Sequence, residues 1–193
     1  VTIAEAIAKA AARLAEHGIE TARLDAELLL RHVLHKDRAW LLAHGREPLD
    51  DGAYRAFQET IGRRVRREPV QYIIGMQEFR GLEFIVTPEV LIPRPETEFV
   101  VEACLEAVRG VESPVIIDLC TGSGCIAISL AKGLSGARIF AADRSSEALS
   151  VARRNAARHS VAGRIRFLEG DLFDPLSELD IRGRVDAITA NPP

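Results

Sequence analysis

"VIIDLCTGSGCIAISLAKGL" (residues 115–134) decides the fold. Val115 to Leu119 is a short, β-branched apolar run that reads as a buried strand. Thr121-Gly122-Ser123-Gly124 follows, and "CIAISLAKGL" then takes up a helical pattern. Glycines between a strand and a helix let the backbone turn sharply and let a ligand approach the chain closely. Downstream, "ARIFAAD" is a second strand, "SSEALSVARRNAARH" a helix, and "RIRFLEGD" and "VDAITAN" a third and a fourth strand. Alternation of this kind predicts a parallel sheet with crossover helices, a Rossmann-like α/β arrangement.

Upstream the period is different. "IAEAIAKAAARLAEHG" ends on Gly18, a C-cap signal, and "ARLDAELLLRHVLH" repeats apolar residues at helical spacing. "DRAWLLAHG" is a short helix, and "DDGAYRAFQETIGRRVRREP" is a longer one expected to run to Pro69. "QEFRGLEFIV" alternates about Arg80-Gly81 and reads as a hairpin. In "TPEVLIPRPETEFVVEACLEAV", Pro93 and Pro95 set an extended approach to a helix whose first turn carries Glu96 and Glu98. The expected organisation is a helical bundle over residues 1–72, a β-hairpin linker over 73–93, and the α/β domain over 94–193.

Composition narrows the functional classes. The 193 residues are 47% hydrophobic, enough for packed cores, and 25 basic against 28 acidic residues leave a net charge of −3. A polyanion-coating protein is disfavoured, so no direct nucleic-acid partner is expected. No apolar run approaches the ~18 residues of a membrane span, and the N-terminus lacks the layout of a signal peptide. The first residue, Val1, predicts a trimmed start. Cys104, Cys120 and Cys125 form no even framework and no CxxC pair, which predicts reduced thiols and a cytoplasmic protein. His32 and His35 share one helix face without a carboxylate or thiolate to complete a ligand set, so no metal is expected.

The glycine corner points to a nucleoside-type ligand. Asp143 ends the second strand about twenty residues after the loop, where an acid accepts hydrogen bonds from a ribose diol. Gly122-x-Gly124-x-x-Ala127 also fits a dinucleotide fingerprint, so an NAD-dependent dehydrogenase stays open. S-adenosyl-L-methionine (SAM) uses the same corner without a pyrophosphate. Asp118 at the strand tip suits the ammonium of its methionine moiety and would repel a pyrophosphate. Asp171 at the end of the third strand can accept from an adenine amino group, with Leu172 covering the ring.

The chain ends on "ITANPP", which puts Asn191, Pro192 and Pro193 beyond the fourth strand. Asn191 offers a side-chain carbonyl and Pro192 a backbone carbonyl without an N–H. Two fixed acceptors can grip both hydrogens of a substrate –NH2, and the proline rings restrict the tip before the substrate arrives. A proline-punctuated loop without function is the bland alternative.

At this point the sequence resembles a known family. "NPP" after the fourth strand is similar to the N/D-P-P-Y/F tip of SAM-dependent amino methyltransferases. "EFRGLEFIVTPEVLIPRPETE" ahead of "DLCTGSGCIAI", with "RLDAELLLRHVL" and "REPVQYIIG" upstream, resembles the HemK/PrmC family over essentially the whole chain. Members of that family are protein-(glutamine-N5) methyltransferases of peptide chain release factors. The resemblance implies methylation of the glutamine side-chain amide of a Gly-Gly-Gln tripeptide. SAM would be held by Asp118, Cys120, Thr121, Gly122, Ser123, Gly124, Asp143, Asp171 and Leu172. Asn191 and Pro192 would be catalytic, and Asn191, Pro192 and Pro193 would bind substrate. The helical domain would help recognise the release factor, the chain acting as a monomer. Arg63, Arg64, Arg66 and Arg67 are a candidate contact patch, with a solvated helix face the favoured reading.

Three departures accompany the resemblance. Cys120 stands where many methyltransferases have glycine, which is tolerable if the backbone there avoids positive φ. Leu172 replaces an aromatic found in some relatives. The aromatic after Pro-Pro and the later strands of the sheet are absent, so the sheet is expected as its first four strands. The chain is thereby expected to be the N-terminal part of a protein ~90 residues longer. The alternatives are an N6-adenine DNA or RNA methyltransferase, a ribosomal-protein glutamine methyltransferase, and an inactive SAM-binding fragment.

Overall fold

The computed structural model describes residues 1–192; Pro193, one of the expected substrate contacts, lies outside them. The chain divides into two compact units, Val1–Ile74 and Gly75–Pro193.

The first unit is helical: α1 (Ile3–Glu16), α2 (Ala22–Leu34), α3 (Arg38–Ala43), α4 (Asp51–Val65) and α5 (Val70–Ile74). The caps are written in the sequence. Thr2 and Glu5 form a reciprocal capping box on α1, Asp37 caps α3 through the Trp40 N–H, and Asp50 caps α4. Each is worth about 1 kcal/mol. The apolar stripes meet in one core around Ile7, Leu14, Leu29, Leu30, Phe57 and Ile61. Helix α4 stops at Val65, short of Pro69, because Arg67 turns to φ 69°.

That turn decides the fate of the basic run. Arg67 donates to the carbonyls of His17 (2.7 Å) and Gly18 (3.1 Å), closing the C-terminal end of α1. Arg64 donates to the buried Asp25 carboxylate at 2.7 Å and to the Glu68 carbonyl, and Arg63 forks onto Glu68. Three of the four arginines are therefore committed to holding the bundle together. Arg66 and Arg67 nonetheless stay exposed, so the run is partly structural and partly solvent-facing.

The second unit opens with the hairpin, β1 (Met76–Phe79) and β2 (Leu82–Ile85), turning through Arg80 and Gly81, both at positive φ. Phe79 and Phe84 belong to this unit's core. Residues 95–97 form a 3₁₀ turn with Pro95 at its start, leading into α6 (Glu98–Ala107). Then come β3 (Val115–Leu119), α7 (Cys125–Gly133), β4 (Arg138–Asp143), α8 (Ser146–Arg158), β5 (Ile165–Glu169) and β6 (Ala187–Ala190). The four strands are parallel in the order β5-β4-β3-β6, as the alternation predicted. Residues of β3 are buried throughout, and their alternation feeds two cores. Ile116 faces Ile139, Ala141 and the helices, while Val115, Ile117 and Leu119 face Leu176 and Ile181. Among the described residues, β6 is a sheet edge, with Ile188 53% exposed. No helix among them is long and apolar enough to cross a membrane.

Candidate active site

The strand order reverses direction of growth between β3 and β6, the switch point where open α/β sheets place ligands beyond the strand ends. Register fixes what stands there. Leu119 lies opposite Ala142 on one side and Ala190 on the other, so Asp143 and Asn191 each come one residue beyond the same level. Between them runs the glycine loop.

The loop is held from below. Asp118 has 0% exposure, and its two oxygens accept from the Thr121 and Thr189 hydroxyls, each at 2.7 Å. Burial pushes its carboxyl up to about 6, the Asp143 charge adding to the rise, while those hydroxyls and the Ala127 N–H pull it down. Asp118 thus ties β3, β6 and the loop together and does not line the cleft. Because its folded value lies above the unfolded 3.8, the native chain keeps a proton between about pH 4 and 6 that the unfolded chain gives up. Stability therefore falls as pH rises through that window. Asp118→Asn should remove the slope, gaining about 2–3 kcal/mol relative to the parent between pH 4 and pH 7. Urea unfolding at both pH values reads this directly, and parallel behaviour of the two proteins would contradict it.

Above Asp118 the backbone is unusual. Cys120 sits at φ 56°, Gly122 at 54° and Gly124 at 80°. The condition set for a cysteine here is not met: Cys120 adopts the left-handed region, at a cost of roughly 1–2 kcal/mol. Burial, with the Asp143, Asp118 and Asp171 charges, pushes its thiol up and keeps it protonated. A Cβ at Gly124 would stand 3.0 Å from Ile128 Cδ1 and 3.2 Å from Ala152 Cβ, so close packing of α7 on α8 also demands glycine. Thr121 and Ser123 are buried, Thr121 donating its N–H to the Ala142 carbonyl.

Asp143 closes the loop. Its Oδ2 accepts from the Gly122 N–H at 2.9 Å and its Oδ1 from the Ser145 N–H at 3.0 Å, leaving lone pairs toward the cleft. The cleft measures about 280 Å³ and is lined by Cys120, Gly122, Asp143, Asp171 and Asn191 of the expected set. Leu172, at φ 43° and 50% exposed, is not among the lining residues. Pro192 is exposed.

Sequence reasoning missed the other wall: Glu89, Val90 and Leu91 before the proline segment, with Arg144, Ser145 and Ala148 after β4. It also missed Thr97, whose hydroxyl accepts from Asn191 Nδ2 at 3.2 Å. The motif "PRPETE" was the available signal for that side. Three carboxylates, Glu89, Asp143 and Asp171, face one arginine in the lining, a balance that favours a cationic ligand over a pyrophosphate. The Gly122 N–H that a phosphate would use is already given to Asp143. Among the described residues no three His, Cys, Asp or Glu side chains converge as metal ligands.

Fold and cleft are of the Rossmann-like kind found in SAM-dependent methyltransferases. Residues 112–192 match the family described as methyltransferase domain, and 5–75 match PrmC N-terminal domain. The SAM-dependent methyltransferase of Agrobacterium tumefaciens shares the fold, with TM-score 0.51 at 22% identity over 61% of this chain and 39% of that one. The chain is 46% identical over its whole length to the release factor glutamine methyltransferase of Moorella thermoacetica, covering 67% of that protein. It is 44% identical over 93% of its length to the enzyme of the same name from Geobacter sulfurreducens, covering 61% of that one. The chain belongs to the release factor glutamine methyltransferase family. It spans about two thirds of the length of these relatives.

Proposed function

We propose that this chain carries the SAM-binding and amide-gripping parts of an enzyme that methylates the glutamine side-chain amide of a release factor, within its Gly-Gly-Gln tripeptide. One observation carries the reading: a single cleft is lined by both the glycine corner with Asp143 and the Asn191 tip. SAM, when bound, supplies an electrophilic methyl on a sulfonium.

The residues present fit that molecule. The Asp143 carboxylate has acceptor capacity for a ribose diol, and Asp171 for an exocyclic amine. The acidic lining suits the positive charge of sulfonium and ammonium. Asn191 donates Nδ2 to Thr97, which leaves Oδ1 as an acceptor for one N–H of the glutamine amide. The Pro192 carbonyl is the second acceptor. An amide nitrogen is a poor nucleophile because its lone pair is delocalised into the carbonyl. Gripping both N–H groups would fix the orientation of the amide nitrogen and stabilise the positive charge that develops on it.

Methyl transfer from labelled SAM, with the natural full-length protein, tests this reading. Three acceptors are compared: a release factor, the same factor with its tripeptide Gln changed to Asn, and duplex DNA. Label on the unaltered factor alone supports it, whereas label on DNA would transfer the case to an adenine methyltransferase. For the cofactor side, Asp143→Ala should weaken SAM binding about 10- to 100-fold by calorimetry, the scale of hydrogen bonds to a charged acceptor. Unchanged affinity would move the ribose contact elsewhere.

A further inference from the structure

A primary carboxamide has two orientations of nearly equal shape, differing by half a turn about χ2. Only one of them turns Oδ1 toward a substrate –NH2; the other offers a second –NH2, which cannot accept. A neighbour that holds one end of the amide therefore helps to keep the other toward the substrate. We infer that Thr97 is a positioning residue for the Asn191 amide, its hydroxyl holding Nδ2 so that Oδ1 is the end left to the substrate.

The placement supports the assignment. Thr97 is 5% exposed, whereas Asn191 is half-buried at the cleft. Its hydroxyl lies 3.2 Å from Nδ2, across 94 residues of sequence. Thr97 closes the 3₁₀ turn that Pro95 begins, its N–H given to the Arg94 carbonyl at 3.0 Å. The next residue, Glu98, accepts the Arg80 N–H of the hairpin at 3.1 Å. Proline ring, turn and hairpin thus hold the backbone that carries the hydroxyl, and α6 packs beside β6. The platform that orients the amide comes from "PRPETE", a segment with no other part in the cleft's chemistry. Thr97 touches neither reactant, so its effect passes through Asn191 alone.

The inference rests on the proposed role of Asn191, and a double-mutant cycle separates the two. Thr97→Val keeps the shape and removes the hydroxyl. Methyl transfer to the release factor should fall about 5- to 10-fold in kcat, with SAM affinity unchanged, the scale of one hydrogen bond. Thr97→Ser should restore the rate to within about twofold, because it keeps the hydroxyl and loses only a methyl group. Combined with Asn191→Ala, Thr97→Val should have no further effect. A merely structural threonine would slow both backgrounds by the same factor, which would overturn the inference, as would a Thr97→Val enzyme at the parent rate. If Asn191→Ala alone left the rate intact, the reading of the tip would fall instead. Should Thr97→Val not fold, Thr97→Ala in the same cycle gives the same discrimination.

Discussion

Replacing Asn191 with alanine should lower methyl transfer about 10²- to 10³-fold, the scale of removing one oriented polar group from a reacting centre. The same variant should bind SAM within a few-fold of the parent. The asymmetry follows from position. Asn191 stands at the end of β6, two strands from Asp143, and its side chain bonds to Thr97 and to no residue of the glycine loop. Losing it leaves the loop, Asp118 and Asp143 with all their partners. What disappears, on the proposed reading, is the acceptor for the substrate amide, whose delocalised lone pair needs that help. Single-turnover transfer with SAM saturating, set beside calorimetric titration of SAM, gives both numbers. A variant that transfers at the parent rate would remove Asn191 from the mechanism; a variant that loses SAM would make it a cofactor residue.

The second large effect is one of stability. Asn155, on α8, has 0% exposure and uses its whole amide. Oδ1 accepts from the Ile85 N–H at 2.7 Å, while Nδ2 donates to the Ile85 carbonyl at 3.0 Å and to the Ser123 carbonyl at 2.9 Å. One side chain therefore completes the end of the hairpin and pins the glycine loop. Asn155→Leu keeps the volume and leaves three backbone groups without partners. At about 1–3 kcal/mol for each orphaned group, the expected loss is roughly 3–9 kcal/mol, a large share of a domain's ~5–15 kcal/mol. Hydrogen exchange should show lost protection at Ile85 and weakened order through residues 120–125. Parent-like exchange at Ile85 would mean that other groups satisfy the hairpin. If SAM sits in the cleft as proposed, its affinity should fall as well, since the glycine loop beside that cleft loses an anchor.

Much of this was legible in the residues. Short apolar runs, the first two each followed by a helical pattern, located the four strands and the crossovers, because burial on both faces leaves β3 apolar at every position but Asp118. That the glycine corner, Asp143 and Asn191 meet at one cleft was legible for a related reason: strand order sets which strand ends are neighbours. What stayed hidden depends on contacts between distant segments. Nothing local to "RRVRREP" says that Arg67 closes α1, or that Arg64 meets Asp25 under the surface. Asp118 looked like a ligand contact because it ends a strand, yet its side chain turns inward to Thr121 and Thr189. Cys120 hid a left-handed backbone because only glycine and asparagine advertise one. The Glu89–Leu91 wall comes from an irregular segment whose path no periodicity encodes.

The shared level of Asp143 and Asn191 carries a last consequence. They stand on β4 and β6 with β3 between, so their backbones are separated by two sheet rungs, about 9.5 Å at the usual spacing of strands. The sheet therefore works as a gauge block, setting the span between the two ends of the cleft with hydrogen bonds that no loop can stretch. Substitutions around the rim can change what enters, but not that length. A one-residue bulge in β4 or β6 would slide one end past the other by about 3.3 Å, a full bond-forming distance. Drift in this scaffold is tolerable in the loops and ruinous in the register.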